Sequence, residues 1–299
     1  MIAARTIAAI TFAATVVVGT WIDPPGRAAP QGPAVLAGDF HVHAFPADGM
    51  LPVWAIQREA ERRGLDVVAI TNHNRNFAMP LGRVSGLLKD YPIVIASQEL
   101  TTPRFHMAAI GVTRMIDWRL SAFDAITAVH DQGGVAIAAH PAPTSWTDDD
   151  PRALANLDGV EAAHPTALGI ARRQNQLRAF YDRVRRVNPD VAPIGSTDFH
   201  GGAPLGVCRT YLVVDEVSRE GVLDAIRRGR TVARGPGDRL VGDPAMIQAV
   251  RQHLATPQDP GFGRSLSAGL SLLALLSLGI IVAGDRDGQR RRRQDQSIW

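Results

Sequence analysis

Short apolar runs alternate with amphipathic stretches through most of this chain. Val35–His43 reads as a strand, followed by a helical pattern over Val53–Arg63 that ends at Gly64. Strand patterns follow at Asp66–Thr71, Ile93–Ser97 and His106–Val112. A helix over Ala122–Gln132 is stopped by Gly133-Gly134, a strong C-terminal signal. Beyond it come a strand at Val135–Ala139, a short helix at Arg152–Asn156, a strand at Gly159–Ala162 and a long amphipathic helix over Leu168–Val187. Strands at Ala192–Thr197 and Arg209–Val214 and a helix over Arg219–Arg228 complete the series. Strands alternating with helices predict an α/β fold on a parallel sheet, open or closed. About seven such units in roughly 220 residues suit a barrel.

The two ends carry a different pattern. Ile7 to Ile22 is almost wholly apolar and preceded by Arg5, as in a secretory signal or an uncleaved anchor. The Ala28-Ala29 pair is followed by Pro30, a poor residue after a cleavage point, which favours the anchor. A second apolar stretch, 265–284, approaches the ~20 residues needed to cross a bilayer core. Arg286 and the run Arg290–Arg293 come after it. The positive-inside rule then puts both termini in the cytoplasm and the intervening domain outside the cell membrane. Pro/Gly-rich joints divide the chain into a signal or anchor segment with its linker (1–33), a domain (34–255), a linker (256–264), a transmembrane helix (265–284) and a basic tail (285–299).

Composition narrows the class. The chain has 299 residues, 45% of them hydrophobic, enough for one large domain with a proper core. The net charge of +3 is small, and Lys89 is the only lysine among many arginines. No interleaving of aromatic and basic residues marks a nucleic-acid groove, so no nucleic-acid partner is expected. The single cysteine, Cys208, excludes an intrachain disulfide and sits in an apolar run, as a buried thiol would.

The chemistry lies where apolar runs end. His41-Val42-His43 comes first. His73, Glu99, His106 and His140 follow singly, and Asp198-Phe199-His200 closes the series. In a barrel, strand ends of this kind meet at one face. Alternation along a strand puts Asp39, His41 and His43 on one side, so the two imidazoles can grip one ion while Asp39 accepts a ring N–H behind them. Glu99, a carboxylate after a buried run, can bridge two cations. Imidazole and carboxylate donors suit zinc, iron or manganese, and the lack of a cysteine ligand argues against a structural zinc site. His164 stands at another strand end. Arg172, with its neighbour Arg173, and Arg209 are the arginines placed to clamp a phosphate.

Taken together these motifs resemble the PHP (polymerase and histidinol phosphatase) domain family. The residues that carry the resemblance are Asp39-Phe-His-Val-His43 with Asp48-Gly49, Thr71-Asn-His73-Asn74, Glu99-Leu-Thr-Thr with His106, His140-Pro141, and Gly195-Ser-Thr-Asp198-Phe-His200. One departure is Asn72, where many members carry Asp. The resemblance implies a distorted (β/α)7 barrel and a site for two to three divalent ions, zinc, manganese or iron. It assigns His41, His43, Glu99 and Asp198 to the first ion, Glu99, His106 and His140 to the second, and Asp48, His73 and His200 to the third. The implied reaction is hydrolysis of a small-molecule phosphate ester by metal-activated hydroxide, with Asp48 and His200 moving the proton and Arg209, Arg172 and His164 contacting substrate. Two alternatives stay open: an ester, amide or carbamate hydrolase on the same centre, and a noncatalytic metal-stabilised binding module.

Overall fold

The computed structural model describes residues 2–21, 28–76, 78–142, 146–147, 150–165, 171–201 and 204–255, with 273, 276, 277 and 280 beyond them. The chain divides into two units, one of Arg27–Thr256 and one of Met1–Gly26 with Pro257–Trp299. In the smaller unit, the apolar N-terminal run forms helix α1 (Ile2–Trp21). Its Ile, Val and Phe are interleaved with alanines, threonines and Arg5. Among the described residues no helix is long and apolar enough to cross a membrane, so the expected flanking transmembrane helices are not found there. The stretch 265–284 lies for the most part outside the described residues.

The larger unit is built on one sheet. Its strands are β1 (Ala34–Val42), β2 (Val67–Ile70), β3 (Ile93–Thr101), β4 (His106–Ile110), β5 (Val135–Ala138), β6 (Gly159–Ala163), β7 (Ala192–Gly195), β8 (Arg209–Val214), β9 (Thr231–Arg234) and β10 (Leu240–Gly242). Their spatial order is β10-β9-β8-β1-β2-β3-β4-β5-β6-β7. The helices are α2 (Val53–Arg62), α3 (Ala78–Val84), α4 (Ala122–His130), α5 (Pro151–Asn156), α6 (Ala171–Arg185), α7 (Arg219–Arg227) and α8 (Pro244–Ala255). Ser121 and Ser218 cap α4 and α7 through their hydroxyls, and Asp150 with Pro151 opens α5.

Seven strands, β1 to β7, therefore stand side by side in chain order, as a barrel requires. They are not all parallel. β4 runs antiparallel to both neighbours, because only four residues separate it from β3 and no helix can cross back in that space. The sheet curls into a nearly closed barrel. At one end β1 meets the segment after β7: the His43 N–H donates to Phe199 O (2.8 Å) and the Phe199 N–H to His41 O (3.1 Å). At the other end β8 lies along Ala34–Gly38 of β1, in antiparallel register. There the seam to β7 is closed by threonine hydroxyls. Thr210 Oγ1 accepts from Gly195 N and donates to Gly195 O, both 2.9 Å, and Thr231 Oγ1 donates to Pro193 O (3.0 Å). A Cβ on Gly195 would come within 2.4 Å of Arg209 O, so this seam needs a glycine.

The core fills the barrel from the end opposite the histidines. Leu36, Val67, Ile95, Ala108, Ile110, Val135, Ile137 and Ile194 come from six strands and meet in one buried cluster with Val222, Leu223 and Ile226 of α7. Only the interior of a closed sheet brings those strands together. A second cluster packs α4, α5 and α6 against β4 to β6, and a third packs α2 against β1 and β2.

Candidate metal centre

Every strand that runs toward the open mouth delivers at least one polar side chain there. His41 lies within β1 and His43 one residue past it; His73 follows β2 and bridges to Glu99, which sits inside β3. The structure extends β3 to Thr101, four residues beyond the apolar run, so Glu99 is a strand residue and is fully buried. His106 opens β4. His140, His164 and Asp198 with His200 follow β5, β6 and β7. Asp48 comes from the tight loop after β1. Backbone strain gathers here: His140 (φ 29), Asp198 (φ 52) and Asn74 (φ 48) are non-glycine residues in the left-handed region. Such geometry persists only where surrounding contacts hold it.

The first group has the geometry of a cation cage. His41 Nε2 lies 3.3 Å from Glu99 Oε2 and 3.2 Å from Asp198 Oδ1, while His43 Nε2 lies 3.5 and 3.1 Å from the same two oxygens. All four atoms are buried, and none has a hydrogen-bond partner of acceptable geometry. Buried polar atoms are rarely left so, because the lost hydration is not recovered. A tetrahedral ion with ligands at ~2.0–2.1 Å places those ligands about 3.3–3.4 Å from one another. The four orphaned atoms thus have the separations of ligands and not the alignments of hydrogen bonds, and they fit a divalent cation.

Two further groups adjoin it. Glu99 turns its other oxygen away: Oε1 is 3.1 Å from His106 Nδ1 and 3.4 Å from His140 Nε2. Its two oxygens therefore face different groups, as those of a bridging carboxylate do, and Oε2 also lies 2.9 Å from His73 Nε2. On the solvent side, Asp48 Oδ2 faces His73 Nδ1 in very close contact, His200 Nε2 at 3.5 Å and His43 Nδ1 at 3.1 Å. His43 thereby touches this group with one ring nitrogen and the first group with the other. The side chains of His73 and His200 are each 38% exposed, so this group forms the rim.

Charge reinforces the arrangement. Burial disfavours the charge of Glu99, but His41 and the neighbouring imidazoles hold its carboxyl well below the usual range. Asp198 is likewise desolvated, yet His41 and His43 keep it ionised. Asp48 is lowered, against its partial burial, by His43 and His73. Burial also opposes charge on His41, but Glu99, Glu161 and Asp198 raise its pKa well above the ordinary imidazole value. The Glu99 carboxylate beside His73 raises that ring to about 9. Ionised carboxylates that hold protons on imidazoles are a site in which cations exchange for those protons.

One expectation is corrected, and other residues are placed. Asp39 does not share the site with His41. A bulge between Asp39 and Val42 breaks the alternation of β1, and the Asp39 carboxylate turns to the loop after β7. It accepts from Thr197 N, Gly206 N and the Thr197 hydroxyl, and burial pushes its pKa up to about 6. Arg209 turns two of its guanidinium donors to main-chain carbonyls, Gly206 O (2.8 Å) and Arg63 O (3.2 Å). Arg172 is exposed near the start of α6. His164 is brought in and is buried, with Nε2 3.9 Å from Asp198 Oδ2 and 3.8 Å from Glu161 Oε2. Burial lowers its pKa to about 4, so it is neutral. Cys208 is buried, as expected, with its thiol pushed up to about 12 by desolvation. Glu161 was missed. It is buried in β6, where His41 overcomes the desolvation and holds its pKa at about 2. Its signal in the sequence was a lone carboxylate inside the apolar run Gly159–Ala163.

No family model matches the chain, and no curated protein matches it. Solved structures do. A two-domain protein of Bacteroides vulgatus containing a predicted PHP-like metal-dependent phosphoesterase aligns with a TM-score of 0.54 and 21% identity, over 77% of this chain and 73% of that one. PsfC of Pseudomonas syringae aligns with a TM-score of 0.51 and 18% identity, over 74% of this chain and 99% of that one. The lesion-specific endonuclease PfuEndoQ of Pyrococcus furiosus aligns more loosely, with a TM-score of 0.43 and 14% identity, over 79% of this chain and 72% of that one. The chain thus has the fold of PHP-like metal-dependent phosphoesterases, the resemblance that its motifs carry.

Proposed function

We propose that this chain is a metal-dependent phosphoesterase of the PHP family, with two to three divalent ions at the barrel mouth. The observation that carries the reading is the quartet His41 Nε2, His43 Nε2, Glu99 Oε2 and Asp198 Oδ1: buried, without hydrogen bonds, and spaced as ligands. Glu99 joins this group to His106 and His140, and Asp48, His73 and His200 make the third. Bound divalent cations would acidify a coordinated water and offset charge on phosphoryl oxygens.

The residues divide the remaining work by exposure. The buried quartet holds the inner charge away from bulk water. Asp48 and His200 stand at the rim, where a substrate enters, and are assigned to carry a proton to the leaving group. His164, neutral and lining the inner wall, is assigned a contact to substrate, and Arg209 and Arg172 are the arginines proposed to meet its phosphate. Zinc, manganese and iron all suit this donor set.

The test uses the full chain stripped with a chelator and reloaded with Mn²⁺ or Zn²⁺. Bound ions are counted, and turnover is measured on p-nitrophenyl phosphate, a bis-phosphodiester, a DNA oligonucleotide and a carboxyl ester. Two to three ions per chain with chelator-sensitive hydrolysis of a phosphoester is the expected result. Failure to bind ions, or bound ions with hydrolysis of the carboxyl ester alone, contradicts the proposal.

A further inference from the structure

His41, Glu161 and His164 stand close enough to be taken for a further cation group. The contacts say otherwise. His41 Nδ1 is 2.8 Å from Glu161 Oε1, the length of a hydrogen bond. The same oxygen meets the Ser196 hydroxyl at 2.5 Å, and Oε2 accepts the backbone N–H of His140, also at 2.5 Å. A backbone N–H can only donate, so Glu161 Oε2 is an acceptor here. Its partners come from β1, from the strained residue after β5 and from the segment after β7. One buried carboxylate on β6 therefore ties together three of the strand ends that carry candidate ligands.

This arrangement settles the proton on His41. An ionised carboxylate has nothing to donate, so the ring nitrogen facing it must bear the hydrogen. When a cation takes the place of the second proton, which the neighbouring carboxylates hold on the metal-free ring, Nε2 is the nitrogen left as a lone pair, and Nε2 is the atom in the quartet. His140 is held by the same carboxylate through its main chain, at a φ that non-glycine residues rarely adopt.

We propose that Glu161 is a positioning residue: it fixes His41 as the Nδ1–H tautomer and pins the backbone of His140, so that both rings present their Nε2 atoms to cations. The proposal rests on the metal-dependent reading above and extends it to a residue outside all three groups. Ser196 holds the carboxylate in its rotamer. Partners of this kind, behind a ligating histidine, are worth roughly 10- to 100-fold in metal affinity.

The experiment measures Zn²⁺ affinity of the full chain by competition with a chromophoric chelator, and the His41 tautomer by ¹⁵N NMR of the imidazole. E161A and E161Q are compared with wild type, with folding followed by circular dichroism. Zn²⁺-loaded wild type should show His41 protonated on Nδ1 alone. E161A should lose roughly 10- to 100-fold in affinity and the uniform tautomer while staying folded. E161Q keeps an acceptor for the ring but opposes an amide N–H to the backbone N–H of His140, and should fall between. If E161A does not fold, E161Q decides: affinity below wild type supports the proposal. Wild-type affinity and tautomer in a folded E161A, or in E161Q where E161A fails, would overturn it, whatever happens to thermal stability. A wild-type chain that binds no Zn²⁺ would refute the functional reading instead.

Discussion

A single added methyl group tests the tightest point of the site. A Cβ on Gly49 would lie 2.0 Å from His43 O and 2.5 Å from Ala44 N, so the loop that brings Asp48 back to His43 closes only on a glycine. Gly49→Ala should therefore shift Asp48 and cost about 2 kcal/mol or more of stability. Denaturant unfolding of the full chain, with an ion count, checks this; an unchanged midpoint and unchanged count would show that the loop yields freely. At this scale the ligand-type residues were legible because they sit at strand ends in known motifs. Asp39 was misread because a bulge is invisible to simple alternation. Sequence does not tell where a long side chain spends its donors, and Arg209 turns two of its own to carbonyls. Glu161 escaped notice because its partners are 120, 21 and 35 residues away in the chain.

Among the elements, the seam between β7 and β8 is the weak place of the barrel. Thr210 serves both the N–H and the carbonyl of Gly195 with one hydroxyl. Thr210→Val keeps the shape and strands those two backbone groups in a buried place, at a cost of about 1–3 kcal/mol. Equilibrium unfolding in urea measures it, and a cost near zero would mean that the seam is not held by this hydroxyl. A second joint, at the end of α4, responds to pH. His130 Nε2 meets Asp158 Oδ2 at 2.8 Å, and the same oxygen accepts the Ala136 N–H at the start of β5. The hydrogen bond to Asp158 raises the His130 pKa above 6.5. A raised imidazole pKa gives stability that is complete below 6.5 and is lost as pH climbs through the folded value. The side chain is 37% exposed, so solvent screening keeps the effect under about 1 kcal/mol. The stability gap between wild type and His130→Gln should be larger at pH 6 than at pH 9; a gap independent of pH would show that no charged pair forms. The helices α2, α4, α5, α6 and α7 were all legible from apolar spacing and end signals. The strands β9 and β10 and the helices α3 and α8 were not: the first three are short, from three to seven residues, and α8 buries only Val250, too little to mark an apolar face. The reversal of β4 was hidden as well, since direction follows from the length of the connection and not from the strand's own residues.

At the scale of the whole molecule, one end of the barrel is sealed by aliphatic side chains and the other presents imidazoles and carboxylates. That polarity follows from the sequence: the β-strand runs are apolar along their length and turn polar at the mouth. The alternation of strands and helices therefore pointed to the architecture, while the closure of the sheet depends on contacts between chain segments about 160 residues apart, such as those of Val42 and Phe199. Cations that bind the folded barrel and not the unfolded chain stabilise it by mass action, so chelation should lower its unfolding temperature. The most direct measurement is the number of divalent ions bound per full chain, in wild type and in His41→Ala, with phosphoester hydrolysis assayed on the same samples. The account predicts two to three ions in wild type, with at least one fewer and no hydrolysis in His41→Ala. Equal ion content and equal activity in the two would contradict it.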